Sequence, residues 1–253
     1  MSVNPGWPIA FALVLLLALT LVAYAFGRFP NPSGPAIAAA RSLVQLGAAA
    51  LVITAVIRSL WASCALVAVM FAVAVYTTSA RVGARRSWPY AAAAMAAGLT
   101  PVLLVVFGTG TVPFAGISII PVAGILIGNA MTAHTLVGRR VFQAIDAERD
   151  EVEAALSIGL TRPAALSLVV HPYVPEALIP GLDQVRTAGM VTLPGAFIGV
   201  LLGGGSPVQA GAAQVLVLFG IMATQTVTAV VQERFVARSL MMPVALRASL
   251  PPG

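Results

Sequence analysis

The carboxylates of this 253-residue chain are unevenly placed. None occurs before Asp146, seven of the eight fall between Asp146 and Asp183, and the last is Glu233. The first half therefore holds no carboxylate for metal ligation, proton relay or general acid–base work. Cys64 is alone, which excludes an intrachain disulfide. Polar groups that could line a passage are few. Arg41 and Gln45 stand one helical turn apart and share a face. Asn129 needs a hydrogen-bond partner inside an apolar run, and Met131, Thr132 and His134 follow it on the same stretch. His134, near one end of that stretch, reads as interfacial. Asp183 and Arg186 are spaced for a charge pair on one helix face, expected at an inner-leaflet helix end.

These groups must be positioned by membrane-spanning helices. The chain is 59% hydrophobic and 9% charged, with a mean hydropathy of +0.98. Soluble domains carry about 25% charged residues. A soluble enzyme, a nucleic-acid-binding domain and a disordered chain are excluded, and the scattered arginines form no nucleic-acid patch. A crossing takes about 20 apolar residues. Trp7–Phe26 is the first such run; it has neither a basic flank nor a cleavage site, and reads as an anchor. Further runs cover 36–57, 60–80, 88–107 and 117–137. A sixth lies between 175 and 203, broken at Pro194, and a seventh covers 212–231. The expectation is an all-α, polytopic bundle of about seven spans, one permease domain over residues 1–253 with a cytoplasmic loop at 139–163. With the N-terminus outside and the C-terminus inside, every arginine except Arg58 and the intramembrane Arg41 falls on the inner side, as the positive-inside rule asks.

The one strongly hydrophilic segment, 139–153, leads into Glu153-Ala154-Ala155-Leu156-Ser157-Ile158-Gly159, a match to E-A-A-x-x-x-G. Ten residues after Gly159 the chain reads Val169-Val170-His171-Pro172. An amphipathic helix with Val152, Ala155 and Leu156 near one face, ended by a glycine able to turn, suits docking into a partner groove. No G-x-x-x-x-G-K-[ST] occurs and there is no Lys, so the chain has no P-loop of its own.

The loop resembles that of ABC transporter permeases, in which E-A-A-x-x-x-G is followed by I-x-L-P; His171 replaces the usual Leu. Three more segments narrow the resemblance: Arg41-Ser-Leu-Val-Gln45-Leu46, Ile120-Pro121-Val-Ala-Gly124-Ile-Leu-Ile-Gly128-Asn129-Ala130-Met131, and Arg186-Thr-Ala-Gly189-Met190-Val-Thr192-Leu193-Pro194-Gly195. Together they look like the FetB-like family of small ABC permeases, which includes bacterial iron-export and plant aluminium-tolerance permeases. The resemblance runs from Arg41 to Glu233. It implies a permease in a bacterial cytoplasmic membrane, working as a homodimer with a separate ATPase subunit that binds ATP, and exporting metal ions such as iron. Coupling then falls to Glu153, Ala154, Ala155, Gly159 and Pro172. The translocation path is expected at Arg41, Gln45, Asn129, Met131, Met190 and Pro194. Gly124, Gly128, Gly195 and Gly199 are expected to pack helices, a stripe of small residues letting backbones approach. The sequence names no metal ligands and no cofactor in this chain. After L-P-G the family reads M-M-T-G-Q, whereas this chain has Ala196, Phe197, Ile198, Gly199 and Val200. The alternatives are a stand-alone secondary carrier, disfavoured by the missing carboxylates of the first five spans, and a permease for a non-metal small molecule.

Overall fold

Proline and glycine punctuate this chain, and helices fill the apolar stretches between them. A computed structural model describes residues 6–251. It is all-helical; among the described residues the only strand-like feature is a bridge between Ala188 and Thr192. Among the described residues six helices are long and apolar enough to cross a membrane, and the bent pair Arg162–Val170 with Tyr173–Thr187, taken as one span, raises the count to seven.

The chain divides at Arg58/Ser59 into two compact units. The N-terminal unit holds α1 (Trp7–Phe26) and α2 (Gly34–Val56). Residues 27–33 join them, with Arg28 and Asn31 at positive φ. Tyr24 and Phe29 meet edge to face, 5.3 Å apart, across that turn. No described residue of either helix is buried.

In the second unit α3 (Leu60–Arg81), α4 (Trp88–Gly108), α5 (Gly116–Ala147) and α10 (Pro207–Ala237) pack into the core. α5 runs past the expected end of the fifth span: residues 139–147 of the hydrophilic segment extend it by about two and a half turns. Short helices α6 (Arg149–Ser157), α7 (Arg162–Val170), α8 (Tyr173–Thr187) and α9 (Gly195–Leu202) lie between α5 and α10, and α11 (Val244–Ser249) follows. Pro101 and Pro121 sit inside α4 and α5, a placement membrane helices tolerate because neighbours satisfy the freed carbonyls. α10 starts with a capping box in which the Ser206 hydroxyl accepts from Gln209 N–H and the Gln209 side chain accepts from Ser206 N–H.

α8 and α9 run antiparallel along α10. His171 Nδ1 lies 2.8 Å from Glu233 Oε1, Gly181 abuts Gln225, and Phe197 N–H donates to Gln214 Oε1 at 3.2 Å. From Glu233 to Gln214 is about 28 Å at about 1.5 Å per residue, close to the thickness of a hydrocarbon core. The expected sixth span is not one helix: α8 and α9 are interrupted over residues 188–194, and the bent pair of span length is α7 with α8, bent by 41°.

The expected packing stripes are not where the backbones meet. Gly124 faces Met70 of α3, but a Cβ at Gly128, Gly195 or Gly199 would meet nothing within 4 Å. The close approach is at Gly98, where a Cβ would stand 2.3 Å from Thr228 Oγ1 and 2.5 Å from the Thr224 carbonyl oxygen. α4 and α10 therefore touch backbone to backbone, which only glycine permits. Spacing identifies small residues but not which face of a helix has a neighbour.

Candidate functional site

Two regions carry the polar chemistry: a stripe on α10 inside the bundle, and the helical segment that joins α5 to α8.

On α10, Gln214, Gln225 and Gln232 are separated by three turns and by two, so they share a face turned to the core. Gln214 accepts the Phe197 N–H in the first turn of α9. Pro194, the residue that precedes that helix, makes no side-chain cap, so Gln214 supplies one from the neighbouring helix. Gln225 Nε2 donates to Asn129 Oδ1 at 3.0 Å, while Asn129 Nδ2 donates to the Ile125 carbonyl at 2.9 Å. Gln232 Nε2 donates to the His134 carbonyl at 3.0 Å. His134 is fully buried rather than interfacial, its Nδ1 2.8 Å from Thr78 Oγ1, which also lies 2.8 Å from Thr135 Oγ1. Thr224 and Thr228 are fully buried beside Gly98. A polar seam thus runs through α3, α5 and α10, where each hydrogen bond replaces one that lipid cannot offer.

The segment from α6 to the start of α8 is anchored at both ends. Val152 and Ala155 are buried, whereas Glu153, Ala154, Ser157 and Ile158 face outward, Ile158 with 79% of its surface exposed. Gly159 has φ +91°, with its N–H on the Leu156 carbonyl and the Leu160 N–H on the Ala155 carbonyl. That pair of bonds is the Schellman ending of a helix, and its left-handed residue favours glycine. The Tyr173 hydroxyl donates to the Glu148 carboxylate between α5 and α6. His171, at the position where a leucine was expected, contacts Glu233, the acid of α10. Pro172 is exposed at the start of α8, in a groove of about 520 Å3 lined with Leu160, Ser167, Leu168 and His171.

The expected path residues are distributed as follows. Asn129 joins Gln225, and through it α8. Met131 is half-buried against the core, its carbonyl accepting from Thr135 Oγ1. Met190, 85% exposed, and Pro194 lie in the break of the sixth span. Arg41 and Gln45 are exposed on α2, in the other unit. A cavity of about 400 Å3 lies between α4, α5, α9 and α10; its lining, which includes Ile125, Leu126, Leu216 and Ala196, is apolar except for Thr111 and Gln209. Among the described residues no three His, Cys, Asp or Glu side chains gather as a metal site. Gln225 and Gln232 were missed by the sequence reading; their spacing was the available signal.

Residues 7–241 match the model of a family described as Uncharacterised protein family (UPF0014). The chain belongs to the UPF0014 family. It is 31% identical over 227 residues to the UPF0014 membrane protein STAR2 of Oryza sativa subsp. japonica, covering 88% of this chain and 79% of that one. It is 30% identical over 228 residues to the protein ALUMINUM SENSITIVE 3 of Arabidopsis thaliana, covering 88% and 82%. A shorter match, 31% over 142 residues, joins 56% of this chain to 54% of the probable iron export permease protein FetB of Escherichia coli strain K12. No solved structure matches significantly. The chain is a multi-pass membrane protein of a family that includes a named transport permease, and the expected resemblance to the FetB-like permeases is confirmed.

Proposed function

We propose that this chain is the membrane-spanning subunit of an ABC-type exporter of metal ions such as iron, driven by a separate ATPase that binds ATP. It works as a homodimer in a bacterial cytoplasmic membrane, with the N-terminus outside. The observation that carries this reading is α6. Its apolar face is fixed to the bundle through Val152 and Ala155, and its other face, from Glu153 to Ile158, is free for a partner. The Tyr173–Glu148 and His171–Glu233 contacts link the same segment to α5 and α10. A push on α6 is thereby passed to the helices that bear the polar seam, as rigid-body coupling requires. Iron as cargo is supported by the name of the bacterial relative.

The direct test is cellular iron content in cells expressing the chain together with an ATPase partner. Lower iron than in an empty-vector control, reversed when the ATPase lacks its P-loop lysine, is the expected result. Unchanged iron would remove the metal reading. A second reading is favoured by the apolar cavity of about 400 Å3, which suits an amphipathic small molecule or a metal chelate.

A further inference from the structure

The turn that joins α3 to α4 carries three arginines. Arg81 ends α3, and Arg85 and Arg86 lie in the short helical turn that leads into Trp88. Both helices are long and apolar enough to cross a membrane, so the turn lies where the two spans leave the hydrocarbon. The chain has no carboxylate before Asp146, and among the described residues no ion pair engages these arginines. Three positive charges thus stand together without a neutralising carboxylate.

A cavity of about 420 Å3 opens beside that turn, between α3 and α4. Its walls are apolar for most of their length, formed by Phe71, Ala72 and Val75 of α3 and by Trp88 and Ala92 of α4. Ala72, Val75, Tyr76 and Ser79 share one face of α3 by helical spacing, and from Phe71 to Ser79 the groove runs about 12 Å along the helix. The polar groups gather at the end nearest the turn. Arg85 lines the cavity, and its guanidinium stands 5.5 Å from the centre of the Tyr76 ring. That stacking holds a long side chain over the groove. Ser79 also lines the cavity; it is 1% exposed, and its hydroxyl has no hydrogen-bond partner. A buried hydroxyl left unpaired is unfavourable, and a ligand oxygen in the cavity can satisfy it. Tyr76 and Trp88 are both exposed, as rings at the edge of a bilayer are.

We propose that this groove binds an anionic phospholipid. The phosphate sits on Arg85, with Arg81 and Arg86 adding charge, because a guanidinium pairs with phosphate through two N–H groups at once. An acyl chain follows the apolar wall from Trp88 towards Phe71, and an ester oxygen accepts from the Ser79 hydroxyl. Free phosphate would use the arginines and leave the apolar groove empty. A zwitterionic lipid would fill the groove but bring an ammonium group against the arginines. A lipid with a net negative headgroup answers both features, as basic pockets between spans do elsewhere. The site uses no residue of the polar seam or of α6, and it does not rest on the export reading.

Trp88 gives a local probe. In the full-length protein with Trp7→Phe and Trp61→Phe, it is the one tryptophan left. The protein is reconstituted in phosphatidylcholine vesicles in which part of the lipid is brominated on its acyl chains, as either phosphatidylglycerol or phosphatidylcholine. Brominated phosphatidylglycerol is expected to quench Trp88 at a mole fraction about fivefold lower than brominated phosphatidylcholine. Arg85→Gln should bring that ratio close to one. Ala72→Phe fills the groove and leaves every arginine in place; Ala72 is exposed, so the larger side chain spares the core. This variant should lose the preference as well. Equal quenching by the two lipids before any further substitution would overturn the proposal. So would a preference that survives Ala72→Phe, which would reduce the site to surface attraction. A preference abolished by millimolar inorganic phosphate would also overturn it, in favour of a free-phosphate site.

Discussion

Gln225 holds two neighbouring helices at once. Its Nε2 donates to Asn129 Oδ1 on α5 at 3.0 Å, and its Oε1 occupies the place where a Cβ on Gly181 of α8 would stand, 1.9 Å away. The glycine is what lets the broken sixth span lie against the seam. Any movement of α8 is therefore felt by Asn129.

Asn129→Leu removes the acceptor and leaves the Gln225 amide unpaired, which costs about 1–3 kcal/mol in a buried setting. The expected result is a protein that still inserts and still binds its ATPase, with a lower melting temperature in detergent and export reduced about tenfold or more. Gly181→Ala should do the same from the other side, by pushing Gln225 off Asn129. Export at wild-type rates in both variants would remove this node from the transport cycle.

Gly159→Trp addresses coupling. The residue sits at φ +91° and a Cβ there would meet nothing within 4 Å, so a side chain brings backbone strain and an altered shape at the proposed docking end of α6. Strain at such a position is about 1–2 kcal/mol, too little to unfold the bundle. Co-purification of the ATPase should fall while the amount of folded permease does not. Gly159→Ala, equally strained but small, separates the two effects: it should bind better than the Trp variant. Full pull-down and full export with Trp would end the coupling role of this loop.

How much of this was legible follows the physics of each signal. The crossings could be read because twenty apolar residues have few other uses, and the interruption before Pro194 because proline, with no N–H to donate, suits the start of a helix better than its interior. Gly159 could be read because its chemistry is local: a helix end needs a left-handed residue, and the E-A-A pattern placed it. The glutamine stripe of α10 was harder. Gln214, Gln225 and Gln232 share a face by spacing alone, but apolar residues surround each one, and only the packed neighbours show that the face is inward. His134 looked interfacial from its place near the end of a span, yet α3 covers it with Thr78. Asp183 and Arg186 pair as their i, i+3 spacing expects, because neighbours on one helix face need no other element to bring them together.

Orientation can be checked independently of transport. The proposed orientation, with the C-terminus inside and the N-terminus outside, rests on the arginine distribution. A reporter active only in the cytoplasm should signal when fused after Gly253 and stay silent when fused before Met1. The opposite pattern would invert the coupling loop to the wrong side and sink the ATPase reading with it.

The last prediction concerns the helix contact that the whole seam depends on. At Gly98 a Cβ would stand 2.5 Å from a backbone oxygen of α10, an atom that cannot swing aside as a side-chain tip can. Gly98→Ala must therefore separate α4 from α10 by a fraction of an ångström, and Gly98→Leu by much more. Overpacking of this kind costs about 1–3 kcal/mol, and more where backbone must move. Buried Thr224 and Thr228 lie at the same contact, so the separation would also disturb the register of α10 and with it Gln225 and Gln232. The expected series is a modest fall in melting temperature and export for Ala, and loss of folded protein from the membrane for Leu. Gly128→Ala is the matched control, a glycine on a neighbouring span with nothing within 4 Å of its Cβ position, and should leave stability unchanged within the chain. If Gly98→Leu were as stable as the control, α4 and α10 would not meet as closely as this structure has them.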